Sequence, residues 1–185
     1  MKTPTYSKFI RIAALASAFA LTTYHSLAGL VGNGFDGRLY TIDINSGATS
    51  LIGNTGTSSL MGISVSPTTG ELYGLTNFVG MPPSSLVKID PMSAATMTIG
   101  ATGIPVIEGD LAFNPLTGQL FGTQTQNTPN SNLLRINPLT GAATIVGSMG
   151  SSSLTDFSAI AFNLAGTLFA IDTGKGLRET VFYLQ

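Results

Sequence analysis

The sequence predicts an all-β protein built from tandem four-stranded antiparallel sheets, and three observations support this prediction. Only 9% of the 185 residues are charged while 43% are hydrophobic, which suits a folded domain rather than a disordered chain. Gly, Ser, Thr and Asn are abundant, as expected for short strands joined by many turns. The pentapeptide NPLTG occurs at 114–118 and again at 137–141, which indicates an internal repeat.

The first 28 residues have the pattern of a secretory signal peptide. Lys2, Lys8 and Arg11 precede an apolar run at 12–21, and small residues follow at 26–28. The apolar run is about half the length that a membrane-spanning helix needs. The sequence therefore predicts cleavage after residue 28, secretion to the periplasm or the extracellular space, and a mature repeat domain over 29–185 without a membrane anchor.

The expected mature domain carries little conventional catalytic chemistry. Cleavage would remove His25, the only histidine, and the chain contains no cysteine. A mature domain of this kind cannot hold a histidine-based triad, a thiol nucleophile or an imidazole metal site. It would retain 5 basic and 9 acidic side chains, so nucleic acid is not expected as a partner. We therefore expect a protein without enzymatic activity.

Two sequence blocks alternate along the chain with a period of 47–48 residues. The first block recurs at 39–56, 86–103 and 133–150. The second block recurs at 63–76, 111–124 and, with one deletion, 160–172. Because such a period is typical of repeat architectures, each pair of blocks is expected to form one structural unit.

Each block reads as a β-hairpin. Alternating apolar and polar residues, as at 86–89 and 96–99, have the period of two of half-buried strands. Between the strands an Asp or Asn can accept backbone hydrogen bonds, Pro fixes φ, and Gly takes the left-handed conformation. Residues 43–47 also resemble part of a calcium loop, but their alignment with the Pro turns identifies them as a hairpin turn. Six such turns are expected, at 43–47, 66–70, 90–94, 114–118, 137–141 and 163–166.

Two hairpins per repeat make a four-stranded antiparallel sheet, and units of about 40 to 50 residues with this composition are blades of a β-propeller. We expect Phe113 and Phe162, which hold matching positions, to lie between adjacent blades. The predicted units are a half blade at 39–53, complete blades at 63–100 and 111–147, and a partial blade at 160–184.

These units amount to about three to three and a half repeats and about thirteen strands, whereas a closed propeller needs at least about sixteen. The segment Leu27–Leu30 resembles Leu72–Leu75 and is a candidate for one further strand. The array is therefore expected to be incomplete or closed by oligomerisation. Three explanations stay open: a piece of a longer product, a ring completed by self-association, or an open arc with exposed strand edges.

The repeats resemble those of secreted bacterial β-propeller proteins in the broad YVTN and quinoprotein-like superfamily. The resemblance covers residues 39–172 and rests on the frame L-Y-G-L-T-N, I-D-P, T-I-G-x-T-G and L-A-F-N-P-x-T-G-x-L-F-G. It implies the fold but not an activity, because that superfamily holds dehydrogenases, lyases, binding modules and surface proteins. The chain lacks the YVTN tetrapeptide and has no Trp to stack on a quinone, so no quinone cofactor is expected.

The end of the sheets opposite the repeated turns carries the variable loops, where function tends to lie. Three carboxylates there, Glu108, Asp110 and Asp156, could bind calcium, the one candidate cofactor, or could merely cap turns. Lys88 and Arg135, on the strands, are expected to be solvated charges. Amide side chains at the loops could hydrogen-bond a sugar or peptide, or only meet solvent: Asn77, Gln124, Gln126, Asn127, Asn130 and Asn132.

Together these features predict a secreted, non-catalytic module that binds a protein or glycan through its variable-loop end. The first alternative is a hydrolase or lyase that uses the three carboxylates, with or without calcium. The second is a structural protein of a surface layer or matrix, which the expected exposed strand edges would favour.

Overall fold

The chain folds entirely into β-strands and connections within the residues that the computed structural model describes. These are residues 30–34, 36–57, 59–76, 84–125, 131–150, 157–172 and 181–184, the last four as backbone only. No helix able to cross a membrane occurs in these ranges. Their fourteen strands are β1 Leu30–Asn33, β2 Arg38–Ile42, β3 Thr49–Asn54, β4 Leu60–Val65, β5 Leu72–Thr76, β6 Ser85–Ile89, β7 Thr96–Ala101, β8 Leu111–Phe113, β9 Leu120–Gln124, β10 Asn132–Ile136, β11 Ala143–Ser148, β12 Phe157–Phe162, β13 Leu168–Asp172 and β14 Val181–Leu184.

The strands form four antiparallel sheets, and each sheet follows chain order. The first sheet contains β1-β2-β3, the second β4-β5-β6-β7, the third β8-β9-β10-β11 and the fourth β12-β13-β14. None of the four sheets is closed on itself. The second and third sheets correspond to the two expected complete blades, and the all-β, propeller-like fold class is confirmed.

The first sheet begins with a strand that the repeat comparison placed three residues too early. In the structure this strand is Leu30–Asn33, and Leu30 pairs with Ile42 just as Leu72 pairs with Ile89 in the second sheet. The matching segments are therefore 30–33 and 72–75, and residues 27–29 lie outside the described range. The extra strand raises the expected thirteen strands to the observed fourteen and makes the predicted half blade a three-stranded sheet.

Five of the six expected turns have the same backbone hydrogen bonds, and the sixth, at 163–166, has the corresponding bonds in a turn one residue shorter. In the turn at 114–118, Gly118 donates its N–H to the Asn114 carbonyl at 2.9 Å, and the Asn114 N–H bonds to the Gln119 carbonyl at 2.8 Å. The Asn114 side chain accepts a further bond from the Leu116 N–H at 2.9 Å. The last residue of each turn has positive φ, as expected for Gly, but in one turn this residue is Ala94, with φ of 60°. These turns lie at one end of every sheet, called the turn end below.

Successive sheets pack face to face through three apolar clusters. The face of a sheet that meets the preceding sheet is called its leading face, and the opposite face its trailing face. Phe113 lies at the interface between the second and third sheets, 5.3 Å from the Tyr73 ring. Phe162 lies between the third and fourth sheets, 5.5 Å from Phe121. Both phenylalanines therefore occupy the expected positions between blades.

Side chains also connect the innermost strands of neighbouring sheets. The Asn33 amide donates to the Leu60 carbonyl at 2.7 Å and so links the first sheet to the second. The Ser64 hydroxyl accepts the Phe113 N–H at 3.2 Å and links the second sheet to the third. These bonds satisfy backbone groups at strand edges that the sheets themselves leave unpaired.

Candidate functional site

The loop end, opposite the turn end, brings together the sequence-predicted site residues that the structure describes. Glu108 and Asp110 lie in the connection before β8, and Gln124 and Asn132 lie opposite each other on β9 and β10. The other five predicted residues lie outside the described range: Asn77, Gln126, Asn127, Asn130 and Asp156.

Gln124 and Asn132 hold the base of the loop end in place. Gln124 is buried, and its amide nitrogen donates to the Pro105 carbonyl at 2.8 Å. Its amide oxygen accepts from the Asn132 amide nitrogen at 2.9 Å. Because both ends of the Gln124 amide bind protein partners, this side chain can affect a ligand mainly by positioning the loops around it.

Buried hydroxyl groups extend this support, and sequence reasoning missed them. The Ser84 hydroxyl donates to the Val106 carbonyl at 3.1 Å and accepts the Val106 N–H at 2.8 Å. The Thr102 hydroxyl donates to the Ser84 carbonyl at 2.9 Å. Ser131, which holds the repeat position of Ser84, accepts the Phe157 N–H at 3.2 Å. The recurrence of Ser at 84 and 131, before the third strands of the second and third sheets, was the signal that could have identified this network.

Asp110 connects two innermost strands. One carboxylate oxygen accepts the Leu111 N–H at 2.8 Å, and the other accepts the Ile160 N–H at 3.0 Å on β12. Burial raises the pKa of Asp110, while these two N–H donors act in the opposite direction. Both oxygens are therefore engaged, and the bond to Ile160 joins the third sheet to the fourth.

Glu108 differs from Asp110 because it is exposed at the rim of the loop end. Its backbone pairs with Thr125 in an isolated bridge, which fixes where its side chain starts. Within the described ranges, no group of three or more His, Cys, Asp or Glu residues could hold a metal ion. Of the two predicted carboxylates that the structure describes, Glu108 is thus the better placed to meet a ligand.

A cavity of about 770 Å³ lies at the turn end of the second sheet, where the repeat pattern does not predict one. Its wall includes an ion pair between Lys88 and Glu71, so Lys88 is not the solvated charge that the sequence suggested. The lining residues are Thr69, Gly70, Glu71, Leu72, Lys88, Ile89, Asp90, Pro91, Met92, Ala95, Thr96 and Met97.

Beside this cavity the Glu71 carboxylate accepts hydrogen bonds from Lys88 and Tyr73. The hydrogen bond from Lys88 holds the pKa of Glu71 below its usual range, and the Tyr73 hydroxyl donates to the same carboxylate at 3.0 Å. Burial raises the pKa of Tyr73 to about 12, and the bond to Glu71 adds to this effect. The cluster fixes the second sheet at its turn end without using any loop residue.

Tyr73 should make the protein sensitive to alkali. Because its folded-state pKa is raised from 10.0 to about 12, its stabilising effect is complete below pH 10 and is lost as the pH rises to 12. We expect the free energy of unfolding to fall by about 2 kcal/mol across this interval relative to Tyr73→Phe. Denaturant unfolding of both proteins at several alkaline pH values measures the difference, and parallel pH profiles would contradict this assignment.

Comparison with known proteins supports the fold alone. No family model and no curated protein matches this chain. Among solved structures, the xyloglucan PUL protein GH43B of Bacteroides ovatus aligns with a TM-score of 0.61 and 13% identity over 84% of this chain and 36% of that one. An auxiliary nutrient binding protein of Bacteroides thetaiotaomicron gives 0.56 and 15% over 84% and 38%. TolB of Acinetobacter baumannii gives 0.54 and 15% over 80% and 35%.

These neighbours are β-propeller-like proteins, so the chain shares the propeller type of architecture. The chain spans little more than a third of the length of each of the three. At such low identity the likeness says nothing about ligand or activity.

Proposed function

We propose that this chain is a secreted, non-catalytic β-propeller module that binds a protein or a glycan through its loop end. The observation that carries the proposal is a contrast between the two ends of the sheets. At the turn end one hydrogen-bonded turn occurs five times, and a sixth copy is one residue shorter. At the loop end every connection differs in sequence, although buried bonds fix its base.

Buried hydrogen bonds at the loop end suit recognition, because a loop that is already held in place loses less conformational entropy when a ligand binds. The bonds of Gln124 and Ser84 reach Pro105 and Val106, so the connection 104–110 is held at its middle. This connection presents Glu108 at the rim. An exposed carboxylate beside amide-rich loops supplies the hydrogen-bond acceptors and donors that sugar hydroxyls and peptide groups need.

Two further points support a binding role. A structural neighbour is named as a nutrient binding protein, so this architecture accommodates binding without stated catalysis. The repeat sequences resemble the YVTN and quinoprotein-like superfamily, which includes binding modules. No resident cofactor is required by this proposal, and the signal-like N-terminus supports its secreted location.

The alternative of a carboxylate-based hydrolase or lyase has less support from the geometry. Catalysis by two carboxylates needs one of them available as an acid or base near the substrate. Asp110 uses both of its oxygens to accept backbone N–H groups, so of the two predicted carboxylates that the structure describes only Glu108 is available.

A glycan array and a peptide array, probed with the purified full chain, test the binding proposal. For any captured ligand we expect Glu108→Ala, or Gln126→Ala combined with Asn127→Ala, to weaken binding by roughly tenfold. The matched control is Met92→Ala, because Met92 is exposed at the cavity on the turn end. We expect this control to leave affinity unchanged.

Two results would overturn the proposal. If Met92→Ala weakened binding while both loop variants bound normally, the site would lie at the turn-end cavity instead. If neither array captured the folded protein, a protein- or glycan-binding role would lose its support. Thermal unfolding of each variant ensures that a loss of binding is not a loss of fold.

A further inference from the structure

The three contacts between successive sheets follow one pattern. On the leading face of each later sheet, the first residue of the second strand is a leucine buried by the preceding sheet. These residues are Leu72, Leu120 and Leu168, which are 2%, 0% and 4% exposed. Trailing-face residues such as Leu39, Leu75 and Leu133 meet them in the three clusters.

The first sheet has the same leading face, but it is exposed. Leu30 begins the strand that corresponds to β5, and it is 53% exposed. Tyr40 and Ile42 pair with Gly32 and Leu30 across β1 and β2, so they share this face with Leu30. Leu51, opposite Tyr40 on β3, extends the face and is also exposed.

The fourth sheet has the complementary trailing face, and it is exposed too. Leu168 and Ala170 pack toward the third sheet, so the alternate residues Phe169 and Ile171 lie on the trailing face. Ile171 is 46% exposed, whereas Leu75, at the same position of the second sheet, is fully buried. Ala161, opposite Phe169 on β12, adds a small exposed residue beside them.

We propose that a second copy of this chain packs the leading face of its first sheet against the trailing face of the fourth sheet. The occupant is a second copy because this contact would join the same two kinds of face, leading and trailing, that form the three contacts already present within one chain. Covering these aliphatic side chains removes apolar surface from water, which favours the contact. Two such head-to-tail contacts related by a twofold axis would join eight sheets, within the range of closed propellers.

Light scattering of the full chain, purified as the host processes it, tests this pairing. We expect a species of twice the single-chain mass at micromolar concentration. Leu30→Glu and Ile171→Glu should each raise the dissociation constant by roughly a hundredfold, because each buries a carboxylate against apolar side chains. Both residues are about half exposed in one chain, so these variants should keep their fold.

Mixing the two variants separates a head-to-tail contact from any symmetric one. The Leu30→Glu chain keeps an intact trailing face and the Ile171→Glu chain an intact leading face, so their mixture should form a dimer through one contact. Leu164→Glu, at an 88% exposed position on a turn, is the matched control and should dimerise normally. A monomeric wild-type chain, an Ile171→Glu variant that still dimerises, or a mixture without heterodimer would each overturn the proposal.

Discussion

Replacing Gly100 with alanine is expected to lower the free energy of unfolding by about 2 kcal/mol, whereas Gly147→Ala should change it by less than about 0.5 kcal/mol. The two glycines hold the same repeat position, in the T-I-G and I-V-G segments of β7 and β11. They differ in what packs against them. This pair therefore isolates packing from the general effect of adding a methyl group.

The physical reason is a close approach between neighbouring sheets. The turn at 137–141 of the third sheet packs on the outer strand of the second, and a Cβ at Gly100 would overlap the Thr140 carbonyl. At Gly53 the same contact comes from the Ser93 carbonyl, 2.8 Å from where a Cβ would lie. At Gly147 no described residue other than its chain neighbours lies within 4 Å of where a Cβ would be. Backbone atoms are harder to displace than the end of a flexible side chain, so alanine at Gly100 or Gly53 would force the whole neighbouring turn to shift.

Urea unfolding of the three alanine variants measures this effect. Gly147→Ala gives the baseline, since alanine reduces the entropy of the unfolded chain at any of these positions. We expect Gly53→Ala to lie between the other two variants. Equal midpoints for Gly100→Ala and Gly147→Ala would show that the turn does not depend on the glycine. Unchanged m-values would confirm that the variants differ in stability alone.

The repeated turns were predictable because their conformation is set locally. Asn114 and Asn137 accept bonds from residues two positions later, and Gly118 and Gly141 supply positive φ, so five consecutive residues determine the geometry. Burial between sheets was predictable for a related reason. Successive side chains of a strand point to opposite faces of the sheet, so the sequence shows which residues share a face. When equal units are stacked, both apolar faces of an inner sheet are covered by the neighbouring sheets.

The position of β1 could not be decided from sequence matching. Leu27-Ala28-Gly29 and Leu30-Val31-Gly32 both fit the pattern of the second strand, Leu-x-Gly. The structure selects the later copy because the pairing with β2 places Leu30 opposite Ile42. Register of this kind depends on a partner strand and not on the strand's own residues.

The candidate site was predicted only in its location. The sequence indicates polar side chains at the loop end, but it does not show which are already bound to protein. Gln124 became a positioning residue because Pro105, 19 positions earlier, meets its amide. Glu71, directly before β5, pairs with Lys88 on β6, 17 positions later. Such contacts depend on three-dimensional neighbours.

Leu120→Ala is expected to cost about 3 kcal/mol of unfolding free energy, because Leu120 is fully buried between the second and third sheets. Leu30→Ala is the matched control, since Leu30 holds the same position in the first sheet and is about half exposed. In dilute protein, where chains are single, its cost should stay below about 1 kcal/mol.

The two variants should respond differently to protein concentration. If a second copy covers Leu30, raising the concentration stabilises the wild type by mass action but stabilises Leu30→Ala less. The cost of Leu30→Ala therefore grows with concentration, while Leu120→Ala loses about 3 kcal/mol throughout. Thermal or urea unfolding over a wide concentration range provides the measurement. If Leu30→Ala lost as much unfolding free energy as Leu120→Ala in dilute solution, the leading face would already be covered within one chain. If the loss for Leu30→Ala did not grow with concentration, no second copy would bind there.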